Sequence, residues 1–195
     1  MSELRAAAKD ERNAIRVYLD NNLLGPNAED YKDEADALRR IEAGRSGERW
    51  LLEWVVSRRT ANELEKTRDV VRREALRAAY TAATILEDDH TVKGFNDIDL
   101  GRWGYISNPM VADVPDEGLF AALREMGLDV MDARHLTVAI HNDCDVFLTM
   151  DGVLLKQRAS ITARYPRIGV LTPSQLWERL NREAIVNARE RGEST

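Results

Sequence analysis

Ile15-Arg16-Val17-Tyr18-Leu19-Asp20-Asn21-Asn22 decides the fold. Its short, β-branched apolar run reads as a buried strand, and it stops on an acid followed by two asparagines, which favour turns. Gly25-Pro26 then breaks the chain direction. Further along, Phe147-Leu148-Thr149-Met150-Asp151 repeats the construction, with a strand from Val146 to Thr149 and an acid just past its end. Trp50–Val56 and Ile168–Leu171 read as two further strands.

Helical patterns alternate with these strands. Glu29 to Ala43 carries Tyr31, Ala35, Leu38 and Ile41 at helical spacing, with Gly44 as its stop. A long helix is expected from the stripe Leu64, Val71, Ala75, Ala78, Ala82 and Leu86, opened by a capping box of Thr60 and Glu63. Leu119–Met126, stopped by Gly127, and Met131–Asn142 read as two more helices. Thr172-Pro173-Ser174-Gln175 opens the last one with an N-cap, a proline and a glutamine. Alternating strands and helices imply an α/β protein, a three-layer α/β/α sandwich around a parallel sheet of about four or five strands.

Residues 1–14 form a lead-in, 15–186 a single domain with an insertion at about 90–116, and 187–195 a tail expected to fray. The chain has 195 residues, 44% hydrophobic and 32% charged, which is ordinary for a soluble domain. No apolar stretch approaches the roughly 20 residues of a membrane helix, and the first residues lack a secretory layout, so a cytoplasmic location is expected. The single Cys144 excludes an internal disulfide, and no Cys/His cluster has zinc spacing. A net charge of -6 argues against wholesale nucleic-acid binding. Locally, however, Gly152–Arg167 carries Lys156, Arg158, Arg164 and Arg167 and no acid, so Lys156, Arg158 and Arg164 are candidates for contact with a substrate backbone.

Four acids stand out in different motifs: Asp20, Glu63, Asp132 and Asp151. Two follow strands and two open helices, places that lie along one rim of an open α/β sheet, where such folds bind ligands. Converging carboxylates repel unless a divalent cation sits among them. Mg²⁺ takes oxygen ligands and keeps several waters, one of which can attack a phosphorus. Each acid also has a plain structural account: a turn for Asp20 and Asp151, the capping box for Glu63, the helix dipole for Asp132. His90, His135 and His141 share no ligand spacing and read as structural or solvated, and Cys144 as a small buried residue. Trp50 and Trp54 share strand parity with Leu52 and Val56 and read as core; Phe95, Trp103 and Tyr105 within the insertion read as core, with stacking on unpaired bases as the alternative.

The order strand-Asp-Asn-Asn, helical Glu-Leu, helical Asp-Ala-Arg-His-Leu, Phe-Leu-Thr-Met-Asp and Val-Leu-Thr-Pro resembles the PIN domain, from Val17 to about Leu180. It is similar to the ribonucleases that include the VapC-type toxins of toxin–antitoxin pairs. The resemblance implies Mg²⁺- or Mn²⁺-dependent cleavage of RNA, with an antitoxin protein and a homodimer among the partners. The family's acids fall on Asp20, Glu63, Asp132 and Asp151. Thr149 and Asn22 match supporting polar residues, and Asp145 falls where some members carry a further metal-binding acid. Asn21 stands where the family usually has Thr or Ser, and the chain is longer than most stand-alone toxins between Glu63 and Asp132. A non-catalytic RNA- or protein-binding module of the same fold is the alternative. A phosphatase with an aspartyl nucleophile would need an acid at Asn22.

Overall fold

A computed structural model of the chain describes residues 14–24, 32–47, 49–57, 60, 83–86 and 114–190. In chain order the elements are β1 (Ile15–Leu19), α1 (Lys32–Ser46), β2 (Leu52–Ser57), β3 (Thr84–Leu86), α2 (Glu117–Glu125), α3 (Val130–His141), β4 (Val146–Leu148), α4 (Gly152–Arg164), β5 (Gly169–Leu171) and α5 (Pro173–Glu190). The five strands form one all-parallel sheet in the order β3-β2-β1-β4-β5. Among the described residues five helices flank it, giving the expected three-layer α/β/α arrangement.

Period-two alternation sorts the strand side chains between two cores. Val17, Leu19, Trp54, Val56, Val146 and Leu148 point to one face, where Ile41 of α1 and Leu176 and Leu180 of α5 cover them. Tyr18, Val55, Phe147 and Val170 point to the other, under Leu123 of α2, Ala133 and Leu136 of α3, and Leu154 and Ile161 of α4. Both faces are buried, which is why the strands read as unbroken apolar runs. Trp50 and Trp54 lie in the first core and Cys144 in the second, as their sequence positions suggest.

Two local expectations are corrected, one helix is added and one is extended. Gly44 does not end α1; it lies inside the helix, where an added Cβ would run into the six-membered ring of Trp50. Its lack of a side chain serves a close approach rather than a stop. Thr84–Leu86 is an edge strand paired with Val55–Ser57, not the end of a long helix. Leu86 happens to fall four residues after Ala82, while the β-branched Thr84 and Ile85 favour the extended chain. The basic run after Asp151 is a helix, α4, whose buried side consists of little more than Leu154 and Ile161. At the far end, α5 continues past Asn187 to Glu190. The remainder of the expected long helix, and the insertion with His90, Phe95, Trp103 and Tyr105, lie outside the described residues.

The strand order reverses direction at β1, with β2 and β3 to one side and β4 and β5 to the other. The crevice beyond the carboxyl ends of β1 and β4 is therefore the topological switch point. Two helix N-termini reach the same rim. α3 runs back toward the start of β4 and so begins there, and α4 leaves directly from the end of β4.

Candidate active site

Asp20 is the first residue after β1 and is only 8% exposed. Its backbone N–H donates to the Leu148 carbonyl at 3.1 Å, so the sheet ladder fixes where its side chain starts. The Thr149 hydroxyl, fully buried, donates to Asp20 Oδ2 at 2.6 Å. The Thr149 Oγ1 itself accepts from Asn22 Nδ2 at 3.1 Å and from the Asp151 N–H at 2.9 Å. Asn22, in a 3₁₀ turn over Asn21–Leu24, also accepts the Met150 N–H at 2.9 Å. Asp20, Asn22, Thr149 and Asp151 thus form one hydrogen-bonded unit across the switch point.

Asp151 is the N-cap of α4. Its Oδ1 accepts the N–H groups of Val153 at 2.7 Å and Leu154 at 3.0 Å, satisfying donors that the helix leaves open. Asp132 is in the first turn of α3, which Asp129 caps by accepting the Met131 and Asp132 N–H groups. The cap is thus Asp129, and Asp132 stands in the first turn, where the helix dipole favours an acid. The exposed apolar side chains of Val130, Met131 and Val153 flank these two helix starts.

Two of the three carboxyls are raised in part by their neighbours' charges. Burial pushes the Asp20 carboxyl up, and the nearby Asp151 charge adds to this, against the opposing pull of the Thr149 hydroxyl and of His135. Asp132 is raised from 3.8 to about 6, by burial first and then by the negative charges of Asp129, Asp151 and Asp20. Its folded form holds the proton more tightly than the unfolded chain. This carboxyl therefore costs nothing below about pH 4, and its cost grows as pH rises from 3.8 to about 6 and is complete above that. The shift is nominally about 3 kcal/mol, and solvent screening of a half-buried group reduces it to about 1 kcal/mol. Asp132→Asn should accordingly melt about 2–4 °C above the wild type at pH 7.5, with the difference closing by pH 4. Thermal melts across that range, without divalent cations, measure it.

Asp145 does not join them. It precedes β4, so it lies on the opposite rim, where its Oδ2 accepts the Arg16 N–H at 2.9 Å. There Arg16 also bonds Glu53 at 2.9 Å and the Asn142 carbonyl, pinning the start of β1. Its expected part in the metal site is withdrawn on that ground. Glu63 lies outside the described residues. Lys156, Arg158 and Arg164 are exposed on α4, yet Lys156 and Arg158 are about 200° apart around the helix, so the basic run makes no single track.

His135 is the residue sequence reasoning undervalued. It is buried, and its charge bears on both Asp20 and Asp132. Its position three residues after Asp132 was the available signal, since such pairs share a helix face.

The donor set suits a hard divalent cation in its chemistry. It offers carboxylate oxygens on one rim, the ligand type such an ion takes, and Mg²⁺ needs only one or two protein carboxylates beside its waters. Among the described residues, no three His, Cys, Asp or Glu side chains are grouped closely enough to hold a metal ion. No helix among them is long and apolar enough to cross a membrane. No protein-family model, curated protein or solved structure matches the chain.

Proposed function

We propose that this protein is a Mg²⁺- or Mn²⁺-dependent endoribonuclease of the PIN type, acting at the rim that carries Asp20, Asp132 and Asp151, with Glu63 completing the acid set. The observation that carries the reading is the gathering of the three acids on one rim, with the charge of Asp151 bearing on Asp20 and Asp132. Three separate elements bring carboxylates to one switch point, where the charge of Asp151 raises Asp20 and the charges of Asp151 and Asp20 both raise Asp132. An arrangement that raises the energy of the empty site is expected where a cation is to be bound.

A bound cation would polarise the phosphoryl oxygen and lower the pKa of a water for attack. The chain's own residues do the positioning. The Thr149 hydroxyl orients Asp20 and at the same time fixes the backbone of Asp151. The α4 cap takes Asp151 Oδ1, so among the described residues Oδ2 is the oxygen left for a ligand. The N-terminal dipoles of α3 and α4 favour a negatively charged substrate at this rim. Val130, Met131 and Val153 offer apolar contact to unpaired bases. The reading extends to a cytoplasmic location, and to an antitoxin protein and a second copy of the chain as partners.

The test is cleavage of labelled RNA and single-stranded DNA oligonucleotides with Mg²⁺, with Mn²⁺ and with EDTA. Metal-dependent cutting of RNA, abolished by EDTA, is the expected result. Tight RNA binding by folded protein without cleavage under either metal would favour the non-catalytic module instead.

A further inference from the structure

Beneath the acids lies a polar pair that an apolar core does not require. The Tyr18 hydroxyl and His135 Nδ1 are 2.6 Å apart, and both residues are buried. Tyr18 cannot swing away, because its ring stacks on Phe147 of β4 with centroids 5.2 Å apart and planes 9° from parallel. The imidazole packs against the same tyrosine ring at 5.9 Å and 57°. Burying two polar groups is costly unless they bond each other, and here they do so with good geometry.

The position of this bond matters more than its strength. Tyr18 is two residues before Asp20 on β1, and His135 is three residues after Asp132 on α3. The bond therefore links the strand that ends in one site acid to the helix that begins with another. Apolar packing of the kind Ala133 and Leu136 make in this core tolerates small slips; a short hydrogen bond to a ring nitrogen does not.

We propose that Tyr18 and His135 are the positioning residues of the site: the Tyr18 hydroxyl locks the His135 imidazole, and the locked pair fixes the end of β1 that carries Asp20 relative to the start of α3 that carries Asp132. The inference rests on the cation reading above. It concerns neither ligand directly, so its effect reaches the site through geometry and through the fixed position of the imidazole.

The test is Mn²⁺ binding by the full chain, followed by calorimetry at a temperature where circular dichroism shows each variant folded. Tyr18→Phe should weaken Mn²⁺ binding about 10-fold or more, the scale of changes just outside a metal's ligand shell. His135→Leu should do the same, while His135→Gln, which keeps an amide for the Tyr18 hydroxyl, should retain more affinity than His135→Leu. A merely structural pair would lower melting temperatures and leave the affinity of the folded protein unchanged. Wild-type affinity in folded Tyr18→Phe and His135→Leu would overturn the inference alone. Absence of Mn²⁺ binding by the wild type would instead overturn the cation reading and take this inference with it. Should Tyr18→Phe not fold, the comparison of His135→Gln with His135→Leu decides the matter, equal affinities counting against it.

Discussion

Asp20→Asn and Asp151→Asn, made separately, should each lower RNA cleavage by more than about a hundredfold while leaving the fold intact. Losing a ligand should exceed the roughly 10–100-fold that changes outside the ligand shell cost. Asparagine is the informative replacement at both sites. At position 151 it caps a helix as well as aspartate does, so α4 should keep its first turn. At position 20 it still presents an oxygen to the Thr149 hydroxyl. It also removes a charge whose burial raises its proton affinity, so at neutral pH the variant should melt no lower than the wild type. Rates from initial velocities, with melts on the same preparations, separate the two effects. Cleavage within tenfold of wild type in either variant would remove that acid from the mechanism.

Thr149→Val should damage both stability and activity. The replacement is close in shape, so packing is kept while one hydroxyl disappears from a fully buried position. Asp20 Oδ2 then loses its donor, and Asn22 Nδ2 and the Asp151 N–H lose their acceptor. Unpaired buried groups cost about 1–3 kcal/mol each and do not add fully; a loss of about 3 kcal/mol overall lowers the melting temperature by about 6–12 °C. Thr149→Ser keeps the hydroxyl and should lose only the packing of a methyl group. A cleavage rate that falls with valine and survives with serine would tie the loss to the hydrogen bonds.

Much of this was legible in the sequence for a physical reason: strands buried on both faces write themselves as apolar runs. Ile15–Leu19 was read to the residue, and the turn residues after it marked the rim. Thr172 and Pro173 announced α5 because the start of a helix has its own chemistry. The failures are equally instructive. The exposed α4 buries too few residues to show a period, so its charges hid the helix. Thr84–Leu86 is an edge strand too short to outweigh the helical spacing before it. Gly44 carried two meanings, and only the Trp50 ring against it distinguishes them. Asp145 was misplaced because adjacency to a strand says nothing of which end it occupies. In a parallel sheet the residue before a strand and the residue after it belong to opposite rims. His135 was hidden for another reason: its partner is 117 residues away in the chain, and no local pattern encodes that distance.

The sheet's middle strand also governs how the molecule comes apart. β1 is bonded on both sides, to β2 and β4, and Arg16 clamps its start. Its amides should exchange with solvent only when the whole domain opens, whereas the β3 edge can exchange through smaller, cheaper fluctuations. Asp20 follows that slowest-exchanging segment by a single residue. Partial melting from the periphery would therefore reach the first acid last, and on heating, activity should vanish together with the sheet rather than ahead of it.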